Sequence, residues 1–150
     1  MPFTPFHFGP GILIRSVERR FSFIFFVISQ VIMDLEPLYF MIRSDWPAHR
    51  LFHTFLGCDL AALITVLIGK TVCEIMKIRV TWKTAIFSAL IGTWSHVFLD
   101  GLMHRDMRPF WPFGEQTLTG FVSGEAVMGF CFICFVVGLV IYGLKTRKRI

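Results

Sequence analysis

Four long apolar stretches limit this chain to folds that can stand in a lipid bilayer. They cover residues 21–42, 51–69, 84–103 and 121–144. A helix needs roughly 20 apolar residues to cross the hydrocarbon core of a bilayer. The 150 residues are 55% hydrophobic and only 17% charged, whereas a soluble domain carries about 25% charged residues. This composition excludes soluble globular, disordered and disulfide-rich secreted proteins, and it predicts an integral membrane protein.

The predicted fold is all-α, an integral membrane bundle of about four transmembrane helices that forms a single domain over residues 1–150. An N-terminal segment precedes the bundle. Pro2, Pro5 and Pro10 are expected to make the first ten residues irregular. Residues 11–20 mix apolar and charged side chains, and they predict a short interfacial helix.

The Lys and Arg residues are distributed unequally between the loops, which predicts an orientation. Eleven of them lie near the two termini and in the loop 70–83, and four lie in the loops 43–50 and 104–120. Cytoplasmic loops of membrane proteins carry the excess of Lys and Arg. Both termini and the loop 70–83 are therefore predicted to be cytoplasmic. The net charge of +5 is assigned to these loops and not to a nucleic-acid surface.

Ionisable side chains occur inside the predicted spans, where lipid tolerates them poorly. An Asp at the centre of a bilayer costs about 2.5–3.5 kcal/mol on insertion scales. Nearly all of these groups lie toward the outward end of their spans, although only Lys and Arg were used to orient the chain. We therefore predict one polar site that opens outward. The groups are Asp34, Glu36, His53, Asp59, His96, Asp100 and Glu125.

The spacing of the histidines indicates a metal site. His49 and His53 are four residues apart, as are His96 and Asp100, so each pair is expected to share one helix face. His104 continues the second series by one more turn. Imidazole and carboxylate groups that converge from several helices are ligands of zinc, manganese or iron.

Asp34 and Glu36 are two residues apart, and a regular helix would point their side chains in different directions. Glu36 precedes Pro37, and a residue before proline is biased away from the α conformation. We expect the first span to loosen there, so that both carboxylates can turn toward the site.

Several roles stay open at this point. Asp59 is either a partner of a histidine N–H group or the partner of Lys70 or of another span. The roles of His104 and Glu125 are undecided. Structural ion pairing without any metal is the main alternative for the whole cluster.

Taken in order, these residues resemble a known family. The family consists of bacterial inner-membrane proteins described as membrane-bound metal-dependent hydrolases, typified by a LexA-regulated inner-membrane protein. Zinc-dependent phospholipase C is a more distant analogy, because it also uses His-x-x-x-Asp ligands. The matching pieces are His7 in Thr-Pro-Phe-His-Phe, Asp34-Leu-Glu36, His49-Arg-Leu-Phe-His53-Thr, Ser95-His96-Val-Phe-Leu-Asp100 and Trp111-Pro112.

The resemblance and the residues together imply metal-assisted hydrolysis. The cofactor is expected to be a divalent metal, zinc before manganese or iron, with one or two ions. Asp34 and Glu36 are the candidate catalytic carboxylates, and either can also bind the metal. The expected metal ligands are His49, His53, His96, Asp100, Asp34, Glu36 and, through the resemblance, His7.

His7 conflicts with the predicted orientation, because a cytoplasmic N-terminus places it on the wrong side. Three explanations stay open. His7 is not a ligand, the first twenty residues form a re-entrant element, or the orientation is inverted. Re-entrant backbone is allowed at membrane depth where protein covers it.

The substrate is expected to be a membrane lipid, in particular an anionic or phosphate-bearing one. Arg50 and Arg105 directly follow His49 and His104 on the outward side. Arginine suits phosphate recognition, and snorkelling toward lipid headgroups explains these two residues equally well. The alternative function is a metal-binding or ion-handling membrane protein without hydrolase activity. A structural subunit whose buried charges pair with a partner is a further alternative.

Overall fold

The computed structural model describes residues 5–147, and every regular element in that range is a helix. A short 3-10 turn, Pro5–His7, leads into α1, Phe8–Val17. Four longer helices follow, and the predicted all-α bundle is thereby confirmed. They are α2 over Phe23–Ile42, α3 over Gly57–Ile75, α4 over Trp82–Met103 and α5 over Gly124–Arg147.

By length and composition, α2, α4 and α5 are apolar enough to cross a membrane. Each overlaps one of the apolar stretches predicted from the sequence. Helix α3 has 19 residues, but Asp59, Lys70 and Glu74 make it less apolar than the other three. It packs against both α2 and α4, and it completes a four-helix bundle with them and α5.

The second predicted span, residues 51–69, was wrong in its position, because α3 starts only at Gly57. The cause is a tertiary contact from α2. The carboxylate of Glu36 accepts hydrogen bonds from the backbone N–H groups of Arg50 and Phe52, each at 3.1 Å. With these donors bound to a side chain on another helix, the segment before Gly57 forms a loop of turns.

The prediction for the N-terminal segment also needs correction, because α1 starts at Phe8 and not near residue 11. Pro10 is tolerated in its first turn, where backbone N–H groups have no partner within the helix. Helix α1 packs directly against α5. A Cβ atom added at Gly9 would overlap the carbonyl oxygen of Cys131, so only glycine permits this approach.

Helix α1 runs in the same direction as α5 along its whole length. At the middle of the contact, a Cβ atom added at Gly138 would lie 2.7 Å from the backbone nitrogen of Leu13. At the far end, the Lys145 ammonium donates a hydrogen bond to the carbonyl oxygen of Ser16, at 2.6 Å. Helix α1 is therefore packed inside the bundle, and the re-entrant alternative describes it better than the interfacial one.

Small residues let α2, α3 and α4 approach closely, as in other helical membrane proteins. Where α4 passes α2, an added Cβ atom at Gly92 would overlap the hydroxyl of Ser29. Large side chains such as Leu63 and Leu67 point outward instead. One buried apolar cluster lies toward the beginnings of α2 and α4 and consists of Phe25, Ala62, Val66, Cys73, Ala85 and Ala89.

Helices α2 and α4 are parallel, which gives the bundle two distinct ends. Both begin at the basic end, the term used below for residues 15–22 and 76–83, where the Ser22 N–H group donates to the Ser88 hydroxyl. The ionisable residues lie toward the other end. There, the loop after α2 and the loop after α4 are joined by a 2.8 Å hydrogen bond from the Phe55 N–H group to the Pro109 carbonyl.

Candidate metal centre

Ligand-type side chains from four separate elements meet in the interior of the bundle. His7 comes from the N-terminal turn, Asp34 from α2, His53 from the loop before α3, and His96 and Asp100 from α4. All five are buried, and the exposed fraction of His53 and His96 is 0%. The ring centroid of His96 lies 5.0 Å from that of His7 and 5.4 Å from that of His53.

Asp100 occupies the centre of this group. Its Oδ1 atom lies 3.3 Å from His7 Nε2, and its Oδ2 atom lies 3.2 Å from His96 Nε2 and 3.9 Å from His53 Nε2. Asp34 approaches from the other side, with Oδ1 3.5 Å from His96 Nε2. The predicted pairing of His96 with Asp100 on one helix face is confirmed.

The atoms that face each other in this cluster are polar and buried, yet several have no hydrogen-bond partner within residues 5–147. They are both ring nitrogens of His7, Nε2 of His53, Nε2 of His96 and Oδ1 of Asp100. A buried polar atom that lacks a partner costs about 1–3 kcal/mol. Several such atoms that point at one another can share one partner, and a cation is one partner that suits both imidazole nitrogens and carboxylate oxygens.

The opposite ring nitrogens of His53 and His96 are fixed by neighbouring side chains. His53 Nδ1 lies 3.0 Å from a carboxylate oxygen of Glu36. His96 Nδ1 lies 2.9 Å from the side-chain oxygen of Gln30, whose amide nitrogen donates to the Gly92 carbonyl at 2.9 Å. These two oxygen acceptors favour a proton on Nδ1 of each imidazole, and Nε2 of each ring faces the cluster. Metal-binding histidines are oriented in this way.

His49 is held in the same manner by Asp106. Its Nδ1 atom lies 2.9 Å from Asp106 Oδ2, and that carboxylate also accepts backbone N–H groups of Ala48 and His49. The His49 ring lies 4.8 Å from that of His53 and stacks 4.4 Å from that of His104. These contacts extend the cluster into the loop after α2 and the loop after α4.

Two sets of ligand atoms are each compact enough to hold one ion. The first consists of His7, His96 and Asp100, and the second of His49, Asp100 and His104. Within each set the ligand atoms lie within 4.8 Å of one another. Asp100 belongs to both sets, so its two oxygen atoms can serve two neighbouring positions.

The pKa values of His53 and Asp106 are both below their usual values, but for different reasons. Burial lowers the pKa of His53 to about 4, although its hydrogen bond to Glu36 acts in the other direction. Burial alone would raise the pKa of Asp106, but the hydrogen bonds from His49 bring it below its usual value. At neutral pH, His53 is therefore a neutral imidazole, which is the form that binds metals.

Some local expectations for these residues were wrong. His49 and His53 lie in a loop and not on a helix face, and their rings meet because the chain turns there. Helix α2 continues through Pro37 without loosening. Asp34 and Glu36 still both reach the histidines, because Asp34 contacts His96 and Glu36 contacts His53, which come from different elements.

Other predicted residues lie outside the cluster. The carboxylate of Asp59 accepts a hydrogen bond from the Trp94 indole at 2.8 Å, so its partner is on α4 and is not a histidine. Glu125 is exposed in the first turn of α5 and belongs to neither ligand set. His104, in contrast, belongs to the second ligand set, with His49 and Asp100.

The two predicted substrate arginines differ in their surroundings. The Arg50 guanidinium forms a 2.7 Å ion pair with Asp45 and lies 3.6 Å above the Phe40 ring. Arg105 is exposed and forms no ion pair among residues 5–147. Only Arg105 is therefore free to contact an external anion.

Gln30 and Asp106 are the two residues of the site that the sequence analysis missed. Gln30 lies four residues before Asp34 on α2, so helical spacing already places it on the same face. Nothing in the sequence around Asp106 indicates that it would contact His49, because that contact depends on how two loops pack together.

A family model described as YdjM inner membrane protein matches residues 12–149 of this chain. The matched segment includes every candidate ligand except His7, which precedes it. No curated protein and no solved structure matches the chain. Since the match covers most of the sequence, the chain belongs to the YdjM inner membrane protein family.

Proposed function

We propose that this inner membrane protein is a metal-dependent hydrolase that acts on a lipid or another phosphoester-type substrate. The observation that carries the proposal is the convergence of buried, unpartnered ligand atoms from His7, His53, His96 and Asp100. Purely structural ion pairs would be expected to satisfy these atoms. Here His53 and His96 are bonded only at Nδ1, and their Nε2 atoms, like both ring nitrogens of His7, have no hydrogen-bond partner among residues 5–147.

The residues fit a divalent metal, and zinc is the best match for a set rich in imidazole. His7, His96 and Asp100 would hold one ion, His53 would be a further ligand through Nε2, and Asp34 would lie beside them. A second ion would use His49, His104 and Asp100, which belongs to both sets. Manganese and iron are compatible with the same ligands. A bound metal would supply Lewis acidity, which activates water and stabilises negative charge on an ester oxygen.

The two candidate catalytic carboxylates take different roles in this proposal. Glu36 accepts two backbone N–H groups and the His53 imidazole, so its oxygen atoms are already used. We therefore assign it the role of holding His53 in position. Among residues 5–147, the one ion pair of Asp34 is with the His96 imidazole through Oδ1, so we assign Oδ2 the role of accepting a proton from water.

A lipid-type substrate agrees with the surroundings of the site. The helices around it expose many large apolar side chains, as expected of a protein that faces acyl chains. Of the two predicted arginines, only Arg105 has no acidic partner among residues 5–147, and its planar guanidinium suits a phosphate group. We assign the phosphate contact to Arg105 rather than to Arg50.

Ion conduction is less well supported than hydrolysis. On the basic-end side of the cluster, the amide of Gln30 and the hydroxyl of Ser29 are bonded within the protein. Beyond them lies the apolar cluster around Phe25, Val66 and Ala89. A conduction path would need polar groups that continue through this layer.

For the orientation, we propose that the basic end and the end of α5 are cytoplasmic and that the site faces outward. The start of α1 then lies on the same side as the site, because α1 is parallel to α5. A cysteine at Ser44, in the loop after α2, is then expected to react with a membrane-impermeant maleimide on intact spheroplasts. A cysteine at Thr146, near the end of α5, is expected to react only after lysis. The four native cysteines are buried, so they are expected to contribute little background labelling. The reverse pattern would invert the topology.

Hydrolysis is tested with purified protein in detergent micelles and a panel of phosphomonoester, phosphodiester and carboxylic ester lipids. At least one class is expected to be cleaved, and His53→Ala is expected to lower kcat/KM at least about a hundredfold, since metal ligands support most of the rate. Asp59→Ala is the control, because Asp59 contacts Trp94 outside the cluster. A protein that binds metal but cleaves none of the panel would support the metal-binding alternative.

A further inference from the structure

A second binding site is indicated at the basic end of the bundle. A cavity of about 400 Å³ lies between the end of α1, the start of α2 and the start of α4. Three arginines line it: Arg15, Arg19 and Arg79. They come from two segments that are far apart in sequence, so the fold brings them together. No carboxylate is among the residues that line this cavity.

The charges of these arginines are not neutralised within the protein. None of the three forms a salt bridge among residues 5–147, and the only hydrogen bond from their side chains goes from Arg15 to the Arg19 carbonyl, at 3.3 Å. Like charges gathered around one cavity repel each other. An anion in the cavity would relieve that repulsion and would match the planar donor groups of arginine.

The helix ends at this cavity favour an anion as well. Helices α2 and α4 both begin here, so their unpaired backbone N–H groups and the positive ends of two helix dipoles lie at its border. Ser22, the N-cap residue of α2, makes no capping hydrogen bond with its side chain, which leaves its hydroxyl available. Ser22 is one of the residues that line the cavity.

The remaining walls are apolar, which indicates what kind of anion fits. Phe21, Phe23 and Ile24 line the same cavity beside the arginines. It lies at the start of two candidate spans, roughly 16 Å along α2 from Asp34, and so at the level of lipid headgroups. Basic pockets between the ends of transmembrane helices are typical sites for anionic lipid headgroups.

We propose that this cavity binds the phosphate-bearing headgroup of an anionic membrane lipid. The lipid lies at the end of the bundle opposite the histidine cluster, and the proposal does not depend on the hydrolase activity. An adjoining cavity of about 660 Å³ shares Thr81 and Thr84 with it, but Glu18 contributes to its lining. We assign the headgroup to the smaller cavity for that reason.

The test measures the thermal stability of the full chain in detergent while one probe at a time is added. The probes are phosphatidylglycerol, phosphatidylcholine and inorganic phosphate. The double variant Arg15→Gln/Arg79→Gln removes two arginines from the cavity. The matched control, Lys77→Gln/Arg147→Gln, removes the same charge at the same end of the molecule, but neither residue lines the cavity. Circular dichroism checks that both variants keep their helices.

Phosphatidylglycerol is expected to raise the Tm of the wild type and of the control, and phosphatidylcholine and inorganic phosphate are not. The double variant is expected to need at least about tenfold more phosphatidylglycerol for the same shift. Equal responses of the double variant and the wild type, or an equal effect of phosphatidylcholine, would overturn the proposal. Inorganic phosphate acting as well as phosphatidylglycerol would overturn the assignment to a lipid.

Discussion

Replacing Asp100 with alanine is expected to remove nearly all bound metal from the purified protein and to weaken its zinc affinity at least about a hundredfold. Asp100 contacts the imidazoles of His7, His96 and His53, and it is the one residue shared by both ligand sets. Its loss removes the one carboxylate that lies near all three histidines. The zinc affinity is measured by isothermal titration calorimetry.

Asp59→Ala is the matched control for this experiment. It also removes an aspartate from a helix of the bundle, but that carboxylate binds the Trp94 indole. The control is expected to keep the zinc affinity of the wild type. If Asp100→Ala bound zinc as tightly as the wild type, Asp100 would not be a ligand, and neither ligand set would hold a metal.

Adding a single methyl group at Gly9 is expected to destabilise the protein by about 1–3 kcal/mol, as overpacking does elsewhere. The new Cβ atom of Gly9→Ala would overlap the Cys131 carbonyl and force α1 away from α5. Because α1 follows directly after His7, the zinc affinity is expected to fall together with the Tm. Both are measured on the same detergent-solubilised sample.

Gly129→Ala is the corresponding control on α5. A Cβ atom there meets nothing within 4 Å, and alanine favours a helix over glycine by about 1 kcal/mol. This variant is expected to be as stable as the wild type or slightly more stable. Equal stability of the two alanine variants would mean that α1 does not pack against α5 as described.

Hydrophobic patterning was sufficient to predict most of the fold. Helices α2, α4 and α5 appear where long apolar stretches predict them, because crossing lipid leaves few alternatives for such segments. The start of α3 was not predictable in this way. It depends on hydrogen bonds from two backbone N–H groups to the Glu36 carboxylate. The donors lie 14 and 16 positions after Glu36 in the sequence.

The candidate site was predictable by residue type but not by geometry. His49 and His53 were expected to meet through helical spacing, and they meet instead through a loop that Asp106 and Glu36 hold from outside. His7 was in conflict with the orientation until α1 proved to run alongside α5. Such positions depend on tertiary packing, which a single sequence does not record.

The central claim is that His7, His53, His96 and Asp100 form a metal site. Elemental analysis of the wild-type protein, purified without chelators and dialysed extensively, tests it most directly. The account predicts about one or two equivalents of zinc, manganese or iron per chain, retained because the ligands are buried. A protein that retains no metal, and whose Tm does not change when any of these ions is added, would contradict it.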